Sequence, residues 1–204
     1  MPIIGVIDSQ KSGHLTPTGN YVSLQTLTGT GSSGTLTFTN IPQTFKHLEI
    51  HALTKGTATG SNIQGMYTIQ FNGDTGNNYS NTQSVGRGTG VSQIYPVAVT
   101  GQNAIFGNGA NWYNTFCSGA DSTAMGAAII NINEYTNTSW YKTARVFDGH
   151  ERGNDDDSSR ITIGGGAWAS TSAITSITFK IYDEGLSLTN FTTTTEIALY
   201  GIVG

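Results

Sequence analysis

The feature that most constrains the fold is a strict alternation of apolar and polar residues within short segments. Between Lys46 and Leu53, the apolar residues Leu48, Ile50 and Ala52 alternate with polar or charged ones. Successive side chains of a β-strand point to opposite faces of a sheet, so this period of two predicts a strand with one buried face. Apolar residues never recur at helical spacing over three turns.

Turn residues separate many segments of this kind. About ten short strands are predicted, at residues 21–27, 35–39, 46–53, 66–72, 93–99, 127–132, 140–147, 160–163, 174–182 and 196–203. The dipeptide Asn72-Gly73 is typical of a tight turn at a strand end. Residues 124–131 could begin with a helical turn, and the Gly- and Asn-rich residues 80–114 are predicted to form long surface loops. The pattern predicts an all-β fold, a single antiparallel β-sandwich like a jelly roll.

Composition supports this fold and argues against several functions. Only 11% of the residues are charged, against about 25% in typical soluble domains. Disorder is not expected, because aromatic residues make up 10% of the chain. The net charge of −4 and the scattered basic residues argue against nucleic-acid binding. No run approaches the roughly 18 apolar residues of a membrane helix, and a single cysteine precludes an intrachain disulfide.

The first twenty residues differ from the rest. Ile3, Ile4, Val6 and Ile7 form an apolar end, and a polar stretch follows up to residue 20. Leaving this end in water would cost about 25 cal/mol per Å² of apolar surface. We predict an extended N-terminal arm at residues 1–20 that binds a partner, followed by one sandwich domain at residues 21–204. An edge strand on the chain's own sandwich is the equal alternative.

Templates for catalysis are missing from the sequence. It contains no Gly-x-Ser-x-Gly elbow, no phosphate-binding glycine loop and no His-Glu-x-x-His motif. Residues 164–166 are three glycines without a following helix signal, which favours a close backbone approach over dinucleotide binding. The carboxylates Glu134, Asp148 and Glu184 have no context that selects them for glycoside hydrolysis. We therefore expect neither enzymatic activity nor a cofactor.

Two groups were weighed as metal ligands. His47, Glu49 and His51 share one face of a predicted strand, but the first and last lie about 13 Å apart along it, too far for one tetrahedral ion. A polar outer face is the favoured interpretation. A loop of three carboxylates is a weak calcium candidate: Asp155, Asp156 and Asp157. Mutual repulsion favours a solvated loop instead.

Aromatic residues raise the question of sugar binding. Trp112 and Tyr113 lie in the loop-rich region and could stack on a glycan ring, as could Trp140, Tyr141 and Trp168. The same residue types also fill cores and protein interfaces. The sequence leaves these alternatives open, with Trp112 and Tyr113 the candidate glycan contacts.

Several stretches together resemble small structural proteins of tailed bacteriophages. They are IIGVIDS (residues 3–9), GHL (13–15), LTFTNIPQTFKHLEI (36–50), IQFNGDTGNNYS (69–80), YKTAR (141–145), GAW (166–168), AITSIT (173–178) and IALYGI (197–202). They span most of the chain and are fold-level motifs that bring no catalytic residues with them.

This resemblance implies a virion component with a jelly-roll-like fold, assembled in the host cytoplasm. We expect a capsid decoration (cement) protein that binds the major capsid protein or other virion proteins, acting as a homo-oligomer and specifically a trimer. The alternative is a tail-fibre or receptor-binding module that recognises a host-surface glycan. Neither nucleic acid nor a membrane is expected as a partner.

Overall fold

The computed structural model describes residues 21–58, 65–87, 92–93, 99–106, 116–117, 125–150, 160–183 and 187–204. Within these ranges the chain forms thirteen β-strands. They are β1 (Tyr21–Thr28), β2 (Thr35–Phe38), β3 (His47–Thr54), β4 (Gly65–Phe71), β5 (Tyr79–Arg87), β6 (Ser92–Gln93), β7 (Val99–Gln102), β8 (Phe116–Cys117), β9 (Gly126–Asn133), β10 (Lys142–His150), β11 (Arg160–Trp168), β12 (Ile177–Tyr182) and β13 (Glu196–Ile202). No helix in these ranges is long and apolar enough to cross a membrane.

The strands form two sheets around one core. The large sheet has nine strands in the order β1-β13-β3-β9-β10-β11-β5-β6, with β7 also paired to β5, and the small sheet has the order β2-β12-β4-β8. Every strand pairing between described residues is antiparallel. The predicted all-β antiparallel sandwich is confirmed.

The core follows the predicted alternation. Leu48 and Ile50 of β3 are buried in one apolar cluster with Phe179 of β12, so side chains of both sheets share it. The Phe179 ring lies 6.2 Å from that of Phe38 and 5.9 Å from that of Tyr67. Burying each large apolar side chain contributes about 1.5–3 kcal/mol. These contacts hold the two sheets together.

The two ends of the described chain are paired with each other. β1 runs antiparallel to β13, with Tyr21 opposite Ile202 and Thr28 opposite Glu196. β13 in turn pairs with β3. This edge of the large sheet therefore requires strands from opposite ends of the sequence.

The predicted turn at Asn72-Gly73 is confirmed. The two residues have φ angles of 51° and 66°, and the backbone N–H of Asp74 donates to the carbonyl of Phe71 at 2.9 Å. Two consecutive positive φ angles define the type I′ turn, which suits Asn and Gly. The Asn72 side chain also accepts the backbone N–H of Thr175 at 2.8 Å and so ties the turn to the chain before β12.

An aromatic corner joins this turn to the large sheet. The indole N–H of Trp168 donates to the Asp74 carboxylate at 2.7 Å, and the Trp168 ring stacks on Tyr79 with centroids 6.3 Å apart. The bond from Trp168, followed by one from Asn78, lowers the pKa of Asp74. Burial raises the pKa of Tyr79 to about 12. The prediction left Trp168 open between core and surface, and the structure places it in the core.

The region predicted as long surface loops contains an interior strand, so that expectation was wrong in part. β5 has nine residues and pairs with β11 along its whole length. Its inward positions include Asn81 and Gln83, which are buried. The apolar alternation that marks the other strands is therefore weak here. The suggested helical turn near residue 124 is not found in the described residues, where β9 begins at Gly126.

The glycine run of β11 allows the close approach that its sequence indicated. A Cβ on Gly166 would lie 2.6 Å from Ile105 Cγ2 and 2.6 Å from the Ser80 carbonyl oxygen. A Cβ on Gly164 would lie 3.2 Å from the Phe106 ring. The glycines let residues 105 and 106 pack directly on the sheet, and β11 continues to Trp168 rather than ending at the predicted residue 163.

Candidate functional site on the outer face of the large sheet

Polarity is inverted in one part of the large sheet. On β10 the inward Asp148 is 2% exposed while its outward neighbour Phe147 is 49% exposed. On β11 the inward Thr162 is fully buried, whereas Ile161 and Ile163 are 50% and 63% exposed. A sheet that faces only water on its outer side normally carries polar residues there. At these positions β10 and β11 place large apolar side chains on the solvent side instead, although Val146 and Trp168 of the same strands are buried.

Strand register gathers the outward apolar residues into two adjacent rows. One row runs across β9, β10 and β11 through Ile129, Phe147 and Ile163. The next runs through Leu53 and Ala127 on β3 and β9, and through Gly149 to Ile161 on β11. We define the outer apolar patch by its six side chains: Leu53, Ala127, Ile129, Phe147, Ile161 and Ile163.

Part of this patch is concave. A depression of about 380 Å³ is bordered by Leu53, Ile129 and Phe147 of the patch and by Tyr200. Small side chains, Ala127 among them, also line it. Short side chains between larger ones leave a hollow that an apolar group from a partner can enter. Such hollows at interface centres hold the side chains that contribute most to binding.

A carboxylate with several hydrogen bonds borders the patch on its polar side. Glu49 of β3 accepts hydrogen bonds from the Asn131 amide at 2.6 Å and from the Tyr21 hydroxyl at 3.2 Å. His51 Nε2 lies 2.7 Å from the other carboxylate oxygen. Because an ionised carboxylate only accepts, His51 donates from Nε2. We call Glu49, His51, Asn131 and Tyr21 the Glu49 cluster.

Both carboxylate oxygens of Glu49 have hydrogen-bond donors beside them, which hold the side chain in place. The negative charge of Glu49 and its hydrogen bond raise the pKa of Tyr21. The His51 ring also lies 5.0 Å from that of Tyr200, which lines the depression. With its oxygens occupied by three neighbours, Glu49 orders the polar border of the patch. The arrangement suits docking, since an apolar centre with a polar border is typical of protein interfaces.

The three residues of β3 considered as metal ligands do not converge on one point. His47 Nδ1 accepts the backbone N–H of Glu134 at 3.0 Å, while His51 is bonded to Glu49. Over the described residues, no three His, Cys, Asp or Glu side chains come together in a way that could hold a metal ion. The favoured interpretation, a polar outer face, matches the position of His47, Glu49 and His51.

The candidate site residues of the sequence analysis lie outside the described residues, so they stay predictions. This holds for the arm contacts Ile3, Ile4, Val6 and Ile7, the glycan candidates Trp112 and Tyr113, and the calcium candidates Asp155, Asp156 and Asp157. Of the other aromatics, Trp140 and Tyr141 are 59% and 60% exposed. The indole N–H of Trp140 donates to the Glu134 carboxylate at 3.2 Å.

The outer apolar patch was missed by the sequence reasoning. Alternation reveals which residues share a face but not which face meets the core. The segment Arg160 to Ile163 was predicted as a strand without a side assigned to its two isoleucines, and the structure places both of them outward. The one available signal was in β10. Phe147 and Asp148 are adjacent, so their side chains point to opposite faces of the sheet and only one of them can face the core.

Comparisons with known proteins leave the family open. No family model and no curated protein matches this chain. One solved structure that was matched is the crystal structure of a protein of unknown function from Shewanella oneidensis MR-1. The alignment covers 90% of this chain and 77% of the Shewanella chain. The identity is 10% and the TM-score is 0.20.

Proposed function

We propose that this protein is a structural protein of a tailed bacteriophage virion that docks through the outer apolar patch, as a capsid decoration protein between neighbouring capsomers. The observation that carries the docking role is the inverted polarity of β10 and β11, where Phe147, Ile161 and Ile163 face outward. The bacteriophage assignment rests on the sequence resemblance. The major capsid protein is the proposed partner.

The estimated free energy of binding favours a repeated contact over a single strong one. The patch covers four strands and two rows, or about 300 Å² from strand spacing and rise. Burying it would contribute about 7 kcal/mol at 25 cal/mol per Å². Association itself costs about 4–15 kcal/mol, so one patch alone binds weakly. Copies joined on a lattice or in a trimer would multiply the contact.

Particle binding by patch variants tests the docking role. We expect Phe147→Ser and Ile163→Ser each to reduce co-sedimentation with purified virions by about tenfold or more, since each removes a large apolar contact. The matched control is Thr143→Ala, an outward position of the same strand β10 outside the patch. Normal particle binding by both patch variants, with unchanged circular dichroism, would overturn docking through this patch.

Cryo-electron microscopy of the same particles tests the location. Sandwich density on the capsid lattice supports the decoration role and would show which surface faces the capsomers. Density on the tail alone, with a bare capsid, would overturn that role and favour the receptor-binding alternative.

A specific observation supports the second candidate, glycan recognition. Trp140 and Tyr141 are adjacent and more than half exposed, and the Trp140 indole donates to the Glu134 carboxylate. Exposed aromatic rings with a neighbouring hydrogen-bond acceptor suit a sugar ring. A glycan array should then show binding that Trp140→Ala abolishes and the control Leu188→Ala, another exposed apolar position, retains. Absence of any binding by the folded wild type would contradict this candidate.

A further inference from the structure

The strand β1 forms one edge of the large sheet, and among the described residues it pairs only with β13. It has eight residues, whereas β2, β6 and β8, which also end a sheet, have two to four. Its sequence YVSLQTLT contains neither a charged residue nor a proline, which are the residues that usually keep an edge strand from pairing. A long edge of this kind can accept a further strand through its backbone N–H and C=O groups.

The apolar side chains of β1 are incompletely covered. Leu24 and Leu27 pack against the core cluster but are only partly buried. On the interior strand β3 of the same sheet, the core-facing Leu48 and Ile50 are fully buried. The difference follows from position, because an edge strand has a neighbour on one side only. A strand added beside β1 would remove more of these two leucines from water.

A bulge makes the facing pattern of β1 symmetrical. The register with β13 shifts between Ser23 and Gln25, so the extra residue lies at the middle of the strand. From this point exposed and half-buried residues alternate towards both ends, and the pattern reads the same in either direction. Strict alternation over eight residues would instead end with opposite faces at its two ends.

This symmetry allows two copies of β1 to pair antiparallel with matching faces. In the central register the pairs between copies are Tyr21 with Thr28, Val22 with Leu27, Ser23 with Thr26, and Leu24 with Gln25, each made twice. Every pair joins two exposed or two half-buried positions. Apolar pairs and hydroxyl pairs both stabilise antiparallel strands, and no like charges meet. A two-fold interface requires such self-complementarity, because one surface supplies both of its sides.

We propose that the protein forms a two-fold dimer in which β1 of one copy pairs antiparallel with β1 of a second copy. The two large sheets become one continuous sheet, joined by about eight backbone hydrogen bonds. A second copy is the occupant of this edge because the symmetry of β1 about its bulge matches β1 itself. The inference differs from the trimer that the sequence resemblance implies, and it does not depend on the proposed function.

The dimer places both outer apolar patches on one side. The two-fold axis of an antiparallel strand pair is perpendicular to the sheet, so the outer faces of the two copies point the same way. Ile129 of β9 lies three strands from β1, which puts the two Ile129 residues seven strand spacings, or about 34 Å, apart. Two linked patches on one side supply the repeated contact that a single weak patch needs.

Sedimentation velocity of the full chain tests the dimer. Between about 1 and 100 µM, a range that covers weak interfaces, we expect a species of twice the 21.5 kDa chain mass to increase with concentration. A wild type that stays monomeric throughout would overturn the inference, and so would a species of trimer mass.

Charge variants test the register of the pairing. Ser23→Lys/Thr26→Lys places lysines opposite one another across the axis and should weaken the dimer by about tenfold or more. Ser23→Lys/Thr26→Glu places each lysine opposite a glutamate and should restore it. The matched control Thr143→Lys/Ser172→Lys adds the same charge at exposed positions outside β1 and should dimerise like wild type.

Two results would contradict pairing through β1. One is a dimer that Ser23→Lys/Thr26→Lys leaves intact, and the other is a failure of Ser23→Lys/Thr26→Glu to restore a dimer that the first variant has lost. Unchanged circular dichroism shows that each variant is folded. Failure of the proposed function would appear separately, as normal virion binding by Phe147→Ser and Ile163→Ser, which lie outside β1 and should dimerise normally.

Discussion

At the scale of single residues, Glu49 controls the ionisation of Tyr21. Its negative charge opposes formation of the Tyr21 phenolate, and its carboxylate accepts a hydrogen bond from the Tyr21 hydroxyl. Both effects raise the pKa of Tyr21 above its ordinary value of 10.0. Glu49→Gln should therefore lower the pKa of Tyr21 towards that value. Titration of the Tyr21 ring carbons by NMR measures it, with Glu134→Gln as the control. An unchanged Tyr21 titration would show that the two groups are not coupled in solution.

Asp74 provides a pH-dependent contribution to stability. The hydrogen bond from Trp168, and then that from Asn78, lowers its pKa below the ordinary 3.8. A carboxyl with a lowered folded pKa stabilises the fold above its unfolded pKa, and the contribution is lost as pH falls through the lower folded value. We expect Asp74→Asn to cost about 1 kcal/mol at pH 7, a small value because the site is partly exposed. Urea unfolding at neutral pH and at about pH 2.5 should show this difference shrinking in acid; a constant difference would contradict it.

The Glu49 cluster could not be predicted from the sequence. The alternation placed Glu49 and His51 on one strand face, and this is confirmed. Its other members, Tyr21 and Asn131, come from β1 and β9, which are distant in sequence. Only the strand order brings them to Glu49, and local patterns do not contain that order.

At the scale of strands, the cost of adding a side chain at Gly166 tests how closely residues 105–106 pack on β11. A Cβ there would lie 2.6 Å from the Ser80 carbonyl oxygen, a backbone atom that cannot turn away. We expect Gly166→Ala to lower the free energy of unfolding by about 1–3 kcal/mol through overpacking. The matched comparison is Gly165→Ala, whose Cβ would meet the Ala144 carbonyl oxygen at 3.0 Å and otherwise only Arg145 at 3.8 Å or more, so its cost should be smaller. A Gly166 variant as stable as the Gly165 variant would contradict the close approach.

Strands were predictable where one face is apolar. β2, β3 and β12 follow this rule, with inward residues such as Phe38, Ile50 and Phe179. β5 escapes it because Asn81 and Gln83 take inward positions. β4 was predicted from its apolar face, but the opposite face with Thr68 and Gln70 is buried as well, and the Gln70 amide donates to the Asn103 carbonyl at 2.8 Å. Buried polar positions of this kind can be recognised only when the elements that pack on them are known.

At the scale of the whole molecule, fold class was predictable and strand order was not. Period-two patterns and turn residues indicate antiparallel strands whichever strands pair. The pairing of β1 with β13 and of β2 with β12 joins segments far apart in sequence. Such contacts arise from the shape of the whole core, and they also determine which alternating face becomes the exterior. This is why the outer apolar patch became visible only in the structure.

Because distant segments interlock, the sandwich should unfold as one unit. Ile197 of β13 is fully buried near one edge of the large sheet, whereas Trp168 belongs to β11, four strands away. Ile197→Ala should cost about 2–5 kcal/mol by leaving a cavity. Trp168 fluorescence, in a Trp112→Phe/Trp140→Phe background, and far-ultraviolet circular dichroism should shift together in urea. The exposed neighbour Glu196→Ala should shift neither probe appreciably. If the dichroism shifted while the Trp168 transition stayed in place, β13 and β11 would belong to separate cooperative units.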